Sequence, residues 1–263
     1  SSYERFSTRD GKSLGTGRLS IGRISDAVTV GRCLLFPDSN SQLHLFDGGT
    51  RLDALQNSDP IILGRHNPDS MLHVLSDGRV VTVTSDFEII LIDTIAGKVV
   101  FRTPAASHIK TGVVFGLTAF ERHGQLFVGL EEQREFVIRS LEGSFRLRDP
   151  RMHGGPLLCL DSNTGAVKWT MPLQETSIPE IHGAPTDVML MWSQPPVDEL
   201  QPNEKRNLTL KLQLVDIATG NILAAEPSIS SSRPLRCVHR ADRKQIDVIA
   251  RDTIITIKAE PRD

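Results

Sequence analysis

Short apolar runs alternate with turn-forming residues along most of the chain. Gly, Pro, Asp, Asn or Ser bounds each run, and many short strands separated by turns are typical of an all-β sandwich, barrel or propeller. The two best helical candidates, residues 53–57 and 140–143, are too short to change this prediction. The ten runs are, in order, "RCLLF", "QLHLFD", "RVVTVT", "FEIILID", "QLFVGL", "PLLCLD", "DVMLMW", "LTLKLQLVD", "QIDVIA" and "TIITIK".

Three segments share a further feature, an aspartate at the end of the apolar run and a glycine four residues later. A weaker copy, "LHLFDGGTRL", ends its run at Asp47. The spacing of these aspartates indicates a repeat of at least forty-odd residues. The three segments are "IILIDTIAGKVV" with Asp93 and Gly97, "LLCLDSNTGAVKW" with Asp161 and Gly165, and "LQLVDIATGNIL" with Asp216 and Gly220.

The residue types in these segments fit a tight turn between two strands. An aspartate side chain can accept hydrogen bonds from the free N–H groups of the turn. A glycine then allows the positive φ that re-entry into a twisted sheet requires. We therefore predict that each aspartate ends the third strand of a four-stranded unit, and that each glycine begins the return strand at positive φ.

Residues 157–169 resemble the PQQ-like repeat of quinoprotein-type β-propellers. The consensus of that repeat is L-x-A-L-D, then x-x-T-G, then a strand that often carries tryptophan, and Trp169 stands at that place. The other copies have Phe101 and Ala225 near the tryptophan position, which we expect to weaken docking between blades. The resemblance covers about residues 27–258.

The resemblance implies an all-β fold, a β-propeller of four-stranded antiparallel blades. About five blades are visible, and they form either a small or irregular ring or part of a larger one. Residues 1–26 would lead into the first blade, and residues 27–263 would form the blades. Trp169 is expected to pack between neighbouring blades, because large aromatic area is a common adhesive where two sheets meet.

Composition excludes several classes of protein. The 263 residues carry a formal net charge of −2, which argues against a nucleic-acid binder. The sequence contains no run of eighteen apolar residues, so no transmembrane helix is predicted. The first residues contain neither a signal peptide nor an initiator methionine, so we expect the chain to be cut from something longer. The resemblance favours a bacterial protein in the periplasm or at the cell surface.

Cysteines and histidines form no recognisable site. Cys33, Cys159 and Cys237 are too widely spaced for a disulfide framework or a zinc site, and the first two are expected to be buried thiols. The eight histidines show no metal-ligand spacing, so no metal site is expected.

Two inserted segments could contact a ligand. In the insertion of residues 131–155, Arg146 and Arg148 would share one face of a strand, with Arg151 and His153 close behind. These four residues form either an anion or partner patch or a solvated edge hairpin. Residues 193–207, rich in proline and charge, are expected to form an exposed loop.

The predicted function is that of a non-catalytic binding or scaffold module of a larger, exported protein. Its partner would be another protein or the rest of the parent chain, and a small-molecule ligand is not identified. The alternatives are a fragment of a PQQ-dependent dehydrogenase and a carbohydrate-binding or carbohydrate-active propeller. Enzymes of the resembled group cap PQQ with a disulfide between adjacent cysteines and hold it on a tryptophan platform. This chain has no adjacent cysteines and only Trp169 and Trp192, so no cofactor is expected.

Overall fold

A computed structural model describes the greater part of the chain. Within that part the regular secondary structure is nearly all β-strand. A short 3₁₀ turn, Ala106–His108, is an exception. The two helical candidates lie outside the described residues, apart from Leu55. The described residues are 2–6, 12–18, 27–38, 40–47, 55, 59–63, 71–110, 112–132, 153–177, 187–193, 208–231, 236–240, 245–249 and 254–258.

The chain divides into two compact units. The first comprises Ser1–Glu121 and Ser162–Ala166, and the second comprises Arg122–Asp161 and Val167–Asp263. Three antiparallel sheets form in the first unit, in the orders β1-β2, β3-β4-β5 and β6-β7-β8-β9. Their strands are β1 (Ser2–Phe6), β2 (Ser13–Arg18), β3 (Val28–Val30), β4 (Cys33–Pro37), β5 (Leu43–Asp47), β6 (Leu72–Val74), β7 (Val80–Val83), β8 (Glu88–Asp93) and β9 (Lys98–Pro104), after which β10 (Gly116–Arg122) reaches the boundary.

Six strands of the second unit lie consecutively in one antiparallel sheet, and three more form a separate sheet. The six are β11 (Gln125–Glu131), β12 (His153–Asp161), β13 (Val167–Ser177), β14 (Val188–Ser193), β15 (Leu208–Asp216) and β16 (Ile222–Ser231). The three are β17 (Arg236–Arg240), β18 (Gln245–Ile249) and β19 (Ile254–Lys258).

All ten apolar runs of the sequence are strands. The predictions of an all-β fold and of four-stranded antiparallel blades, the building unit of a β-propeller, are confirmed. The sheet β6-β7-β8-β9 is such a unit, with β8 third in order. In the second unit the last two residues of β13 pair with β14. The strands β13-β14-β15-β16 are therefore consecutive in the sheet, and β15 is the third of the four.

The inner strands are buried on both faces. Residues 89–92 of β8 are all fully buried, which explains why this strand shows a continuous apolar run rather than alternation. In the first unit Leu35, Leu45, Ile90 and Ile92 belong to one core cluster. Strand β19 is an edge strand, and it alternates between exposed and half-buried side chains.

The turns after β8, β12 and β15 share one geometry. These strands end at the three motif aspartates. The glycines that follow have positive φ, at 64° for Gly97, 72° for Gly165 and 73° for Gly220. Two of the carboxylates cap their turns, since the N–H of Ala96 donates to Asp93 Oδ1 at 2.8 Å and that of Thr219 to Asp216 Oδ1 at 2.9 Å.

A β-bulge follows each of these turns, three residues after the glycine. The residue it leaves unpaired is Val100 in β9, Lys168 in β13 and Leu223 in β16. The bulge shifts the register of the return strand by one residue. The next residues, Phe101, Trp169 and Ala224, therefore occupy equivalent positions eight residues after the aspartate. The third equivalent is Ala224 rather than Ala225.

Replacing Gly165 with alanine is expected to destabilise the protein more than replacing Gly31. Both glycines have positive φ, so each substitution carries a backbone cost of about 1–2 kcal/mol. A β-carbon at Gly31 would meet no atom within 4 Å, whereas one at Gly165 would lie within 3.0 Å of Phe101 and Thr103 side-chain atoms. We expect Gly165→Ala to cost about 1–3 kcal/mol more. Urea unfolding measures the difference, and equal losses would contradict the prediction.

Candidate functional site

Strand β9 packs on a glycine turn of the first unit. Phe101 is 7% exposed, and its ring covers Gly165 so closely that the turn has no room for a β-carbon. The hydroxyl of Thr103 donates a hydrogen bond of 2.7 Å to the carbonyl oxygen of Gly165. Phenylalanine at the tryptophan position therefore also docks on a glycine turn. The expectation that this departure weakens docking stays a prediction.

The same contact recurs in the second unit. The indole of Trp169 covers Gly220, where a β-carbon would lie 2.7 Å from ring atom Cδ2. Its Nε1–H donates a hydrogen bond of 2.9 Å to the carbonyl oxygen of Ile217. The ring also packs against Phe127 of β11, with ring centroids 5.8 Å apart. Trp169 therefore lies between β11 and the turn that follows β15.

The first repeat carries related contacts. Leu55 stands eight residues after Asp47, the same count in the sequence as from Asp93 to Phe101, and is buried in the core cluster. The thiol of Cys33 donates to the carbonyl oxygen of Thr94 at 3.4 Å. Thr94 directly follows its turn aspartate, as Ile217 follows Asp216, so the equivalent carbonyl oxygen accepts a side-chain hydrogen bond in two repeats.

The fourth equivalent position is not covered. Ala224 is exposed, as are all of residues 221–225, here named the β16 patch. Ile222 is 53% exposed and Leu223 is 49% exposed. Within the described part of the chain, β16 is the last strand of its sheet. The patch begins with Asn221 and is followed by Glu226. Ile222 pairs with Val215 and Ala224 with Leu214, so these two side chains lie on opposite faces of this edge strand.

The predicted anion or partner patch cannot be placed. Arg146, Arg148 and Arg151 lie outside the described residues, as do residues 194–207 of the predicted loop. His153 begins β12, but its side chain is not among those described. This patch stays a prediction.

The described residues do not fit PQQ as the resembled enzymes hold it. Cys33 and Cys159 are both free and buried. Burial raises the pKa of the Cys159 thiol to about 11, against a smaller opposing effect of the Lys168 charge. The Trp169 ring is covered by Gly220 and Phe127, and Trp192 is 6% exposed in β14. Neither described tryptophan therefore offers a free platform.

Two negative findings concern the described residues only. Among them, no group of three or more His, Cys, Asp and Glu side chains could hold a metal ion. No helix there has the length and apolar character needed to cross a membrane.

A histidine–aspartate pair joins the turn after β4 to strand β5. Asp38 Oδ1 accepts the N–H groups of Asn40 at 2.8 Å and Gln42 at 3.0 Å. Asp38 Oδ2 lies 3.2 Å from Nε2 of His44, whose ring stacks on Phe36. Burial opposes ionisation of Asp38, but these backbone and histidine hydrogen bonds outweigh it and hold the pKa of the carboxyl below its ordinary value. The carboxylate thus serves to hold the turn.

Comparison with known proteins finds distant likeness only. No family model and no curated protein sequence matches the chain. Among solved structures, BamB from Moraxella catarrhalis is 11% identical with a TM-score of 0.37, over 88% of this chain and 58% of that one. The quinohemoprotein alcohol dehydrogenase from Comamonas testosteroni is 16% identical with a TM-score of 0.41, over 89% of this chain and 42% of that one. A chain of the mitotic checkpoint complex is 12% identical with a TM-score of 0.44, over 99% of this chain and 69% of that one.

These likenesses establish neither a family nor an activity. The chain spans 58% and 42% of the lengths of the first two structures. The class of protein rests instead on its own sheets, which are antiparallel blades of the propeller type.

The β16 patch has a weak signature in the sequence. Alanine occupies the position where the other repeats carry leucine, phenylalanine or tryptophan. Ala225, which the sequence analysis placed near the tryptophan position, lies one residue beyond the equivalent of Phe101 and Trp169.

Trp169→Ala is expected to destabilise the protein by about 3 kcal/mol. This value lies at the low end for aromatic-to-alanine changes, because the side chain is only partly buried. Trp169→Phe keeps a ring over Gly220 but leaves the Ile217 carbonyl without its donor, which costs about 1 kcal/mol. Circular dichroism during urea unfolding measures both losses. Equal losses would show that the ring contact contributes nothing.

Stability is expected to fall in acid partly through Asp38. Since its pKa is lowered on folding, its contribution is present above the ordinary aspartate pKa and is lost as pH falls through the lowered value. Asp38→Asn should therefore flatten the dependence of unfolding free energy on pH below about 4. Asp86→Asn, in an exposed turn, is the control for charge removal. Identical pH profiles for Asp38→Asn and the parent protein would refute this.

Proposed function

We propose that this chain is a non-catalytic, protein-binding scaffold module of the propeller type. The observation that carries the proposal is the β16 patch, where Ile222 and Leu223 are about half exposed at a position that is covered in the other repeats. Both residues lie on the edge strand of a sheet, and an exposed edge strand with apolar side chains is a common place for another chain to associate.

The use of the motif residues also supports this function. The carboxylates of Asp93 and Asp216 accept turn N–H groups, and the rings of Phe101 and Trp169 cover glycines. These residues are engaged in building the sheets and in docking the turns. Forming a turn and its docking contact is a structural role that does not depend on catalysis. One fold can support many functions, so these residues imply no enzymatic activity.

The finer part of the proposal concerns the setting of the module. We take it as part of a larger, exported protein at the bacterial periplasm or surface, where its partner is another protein or the remainder of that polypeptide. This part rests on the resemblance of the turn motif alone.

A photocrosslinking experiment tests the binding surface. The crosslinking amino acid p-benzoylphenylalanine replaces Leu223 in the full chain, expressed in the source cells. It replaces Ile95, an 83% exposed turn residue of the first unit, in the control. We expect a discrete covalent adduct with another protein from position 223 that is at least about tenfold weaker from position 95, because the patch would be buried against a partner. Equal adduct yields at the two positions, or none at 223, would overturn the proposed function.

A further inference from the structure

We propose that the carboxylate of Asp247 fixes the register in which strands β17, β18 and β19 pair. Asp247 is the third residue of the middle strand β18, where it pairs with Val238 of β17 and with Thr256 of β19. The residue is 4% exposed. It is the only acidic residue within these three strands, so no other side chain there can accept charge-assisted hydrogen bonds in its place.

Side chains of all three strands donate to this carboxylate. Arg240 of β17 donates from Nε to Oδ2 at 2.5 Å. Gln245 of β18 donates from Nε2 to Oδ1 at 2.6 Å, and the hydroxyl of Thr256 in β19 donates to the same oxygen at 2.9 Å. The hydrogen bonds from Arg240 and then Gln245 hold the pKa of Asp247 below its ordinary value, so the group is ionised at neutral pH. Each neighbouring strand is therefore joined to β18 at one defined residue.

The apolar pattern of these strands selects a register only weakly. The register of a strand is normally set by the contrast between a buried and an exposed face. The first four residues of β18 are all buried, so its two faces lack that contrast. Isoleucine occupies three of the five positions of β19 and falls on both of its faces. A shift of β19 by one residue would place Ile255 or Ile257 opposite Asp247 and leave a buried charge without its donor, which is costly.

A shift of β19 by two residues is the competing arrangement, because it keeps each side chain on its own face. In one direction Ile254 would stand opposite Asp247, and an isoleucine side chain has no donor. In the other direction Lys258 would stand there and could donate, but Ile246 would then pair with Ala259 in place of an isoleucine. The observed register supplies the donor and keeps the isoleucine pair.

Cross-strand nuclear Overhauser contacts in the isotope-labelled full chain report this register. In the parent protein we expect residue 246 to contact residue 257 and not residue 259. Thr256→Val keeps the shape of the side chain but removes its donor, so Lys258 can compete for Asp247. We then expect a second set of contacts, between residues 246 and 259, at about one tenth of the intensity of the first or more. Thr256→Ser, which keeps the hydroxyl, is the matched control and should show the parent contacts alone.

Changes at Asp247 itself complete the experiment. Asp247→Val removes the acceptor that the three strands share, so we expect shifted contacts on both sides of β18. Asp247→Asn retains one acceptor oxygen and should keep the parent contacts. Parent contacts alone in Thr256→Val would overturn the proposal. Loss of every contact between β18 and β19 in Thr256→Val would also overturn it, because the hydrogen bond would then supply stability without selecting a register.

Discussion

The contact between a large side chain and a glycine turn is the interaction on which the repeats depend. It requires a turn without a β-carbon, at positive φ, beneath a ring that reaches it from a strand made earlier in the chain. Gly165 under Phe101 and Gly220 under Trp169 meet all of these conditions. The hydrogen bonds from Thr103 and from the Trp169 indole then fix the ring-bearing strand to the backbone of the turn. Shape and hydrogen bonding thus act at the same place, which limits how the two elements can approach.

This requirement accounts for the spacing within each repeat. The aspartate holds the turn, the glycine reverses it, and the bulge shifts the strand so that the eighth residue lies at the docking position. Because each element acts over only a few residues, the same order recurs with different side chains between them. The sequence similarity among repeats is accordingly concentrated in the turn.

The strands and turns could be predicted from the sequence because their causes are local. Apolar runs, aspartate and glycine act within a few residues, and the positions of β8, β12 and β15 follow from them. The docking contacts could not be predicted in detail, because Gly165 lies far along the chain from Phe101. The tryptophan position of the third copy was placed near Ala225, although the count of eight residues that gives Phe101 and Trp169 leads from Asp216 to Ala224. The pairing of His44 with Asp38 was also missed, since a lone histidine in a strand indicates no partner.

The direction of the docking contact has a consequence for biosynthesis. Phe101 emerges from the ribosome before Gly165, and Trp169 before Gly220. Each ring is therefore synthesised before the glycine turn on which it packs. Between the synthesis of each of these rings and that of its turn, the nascent chain therefore carries an uncovered apolar strand, which makes it prone to non-native association. A nascent chain built in this way would gain from synthesis that does not pause between a ring and its turn.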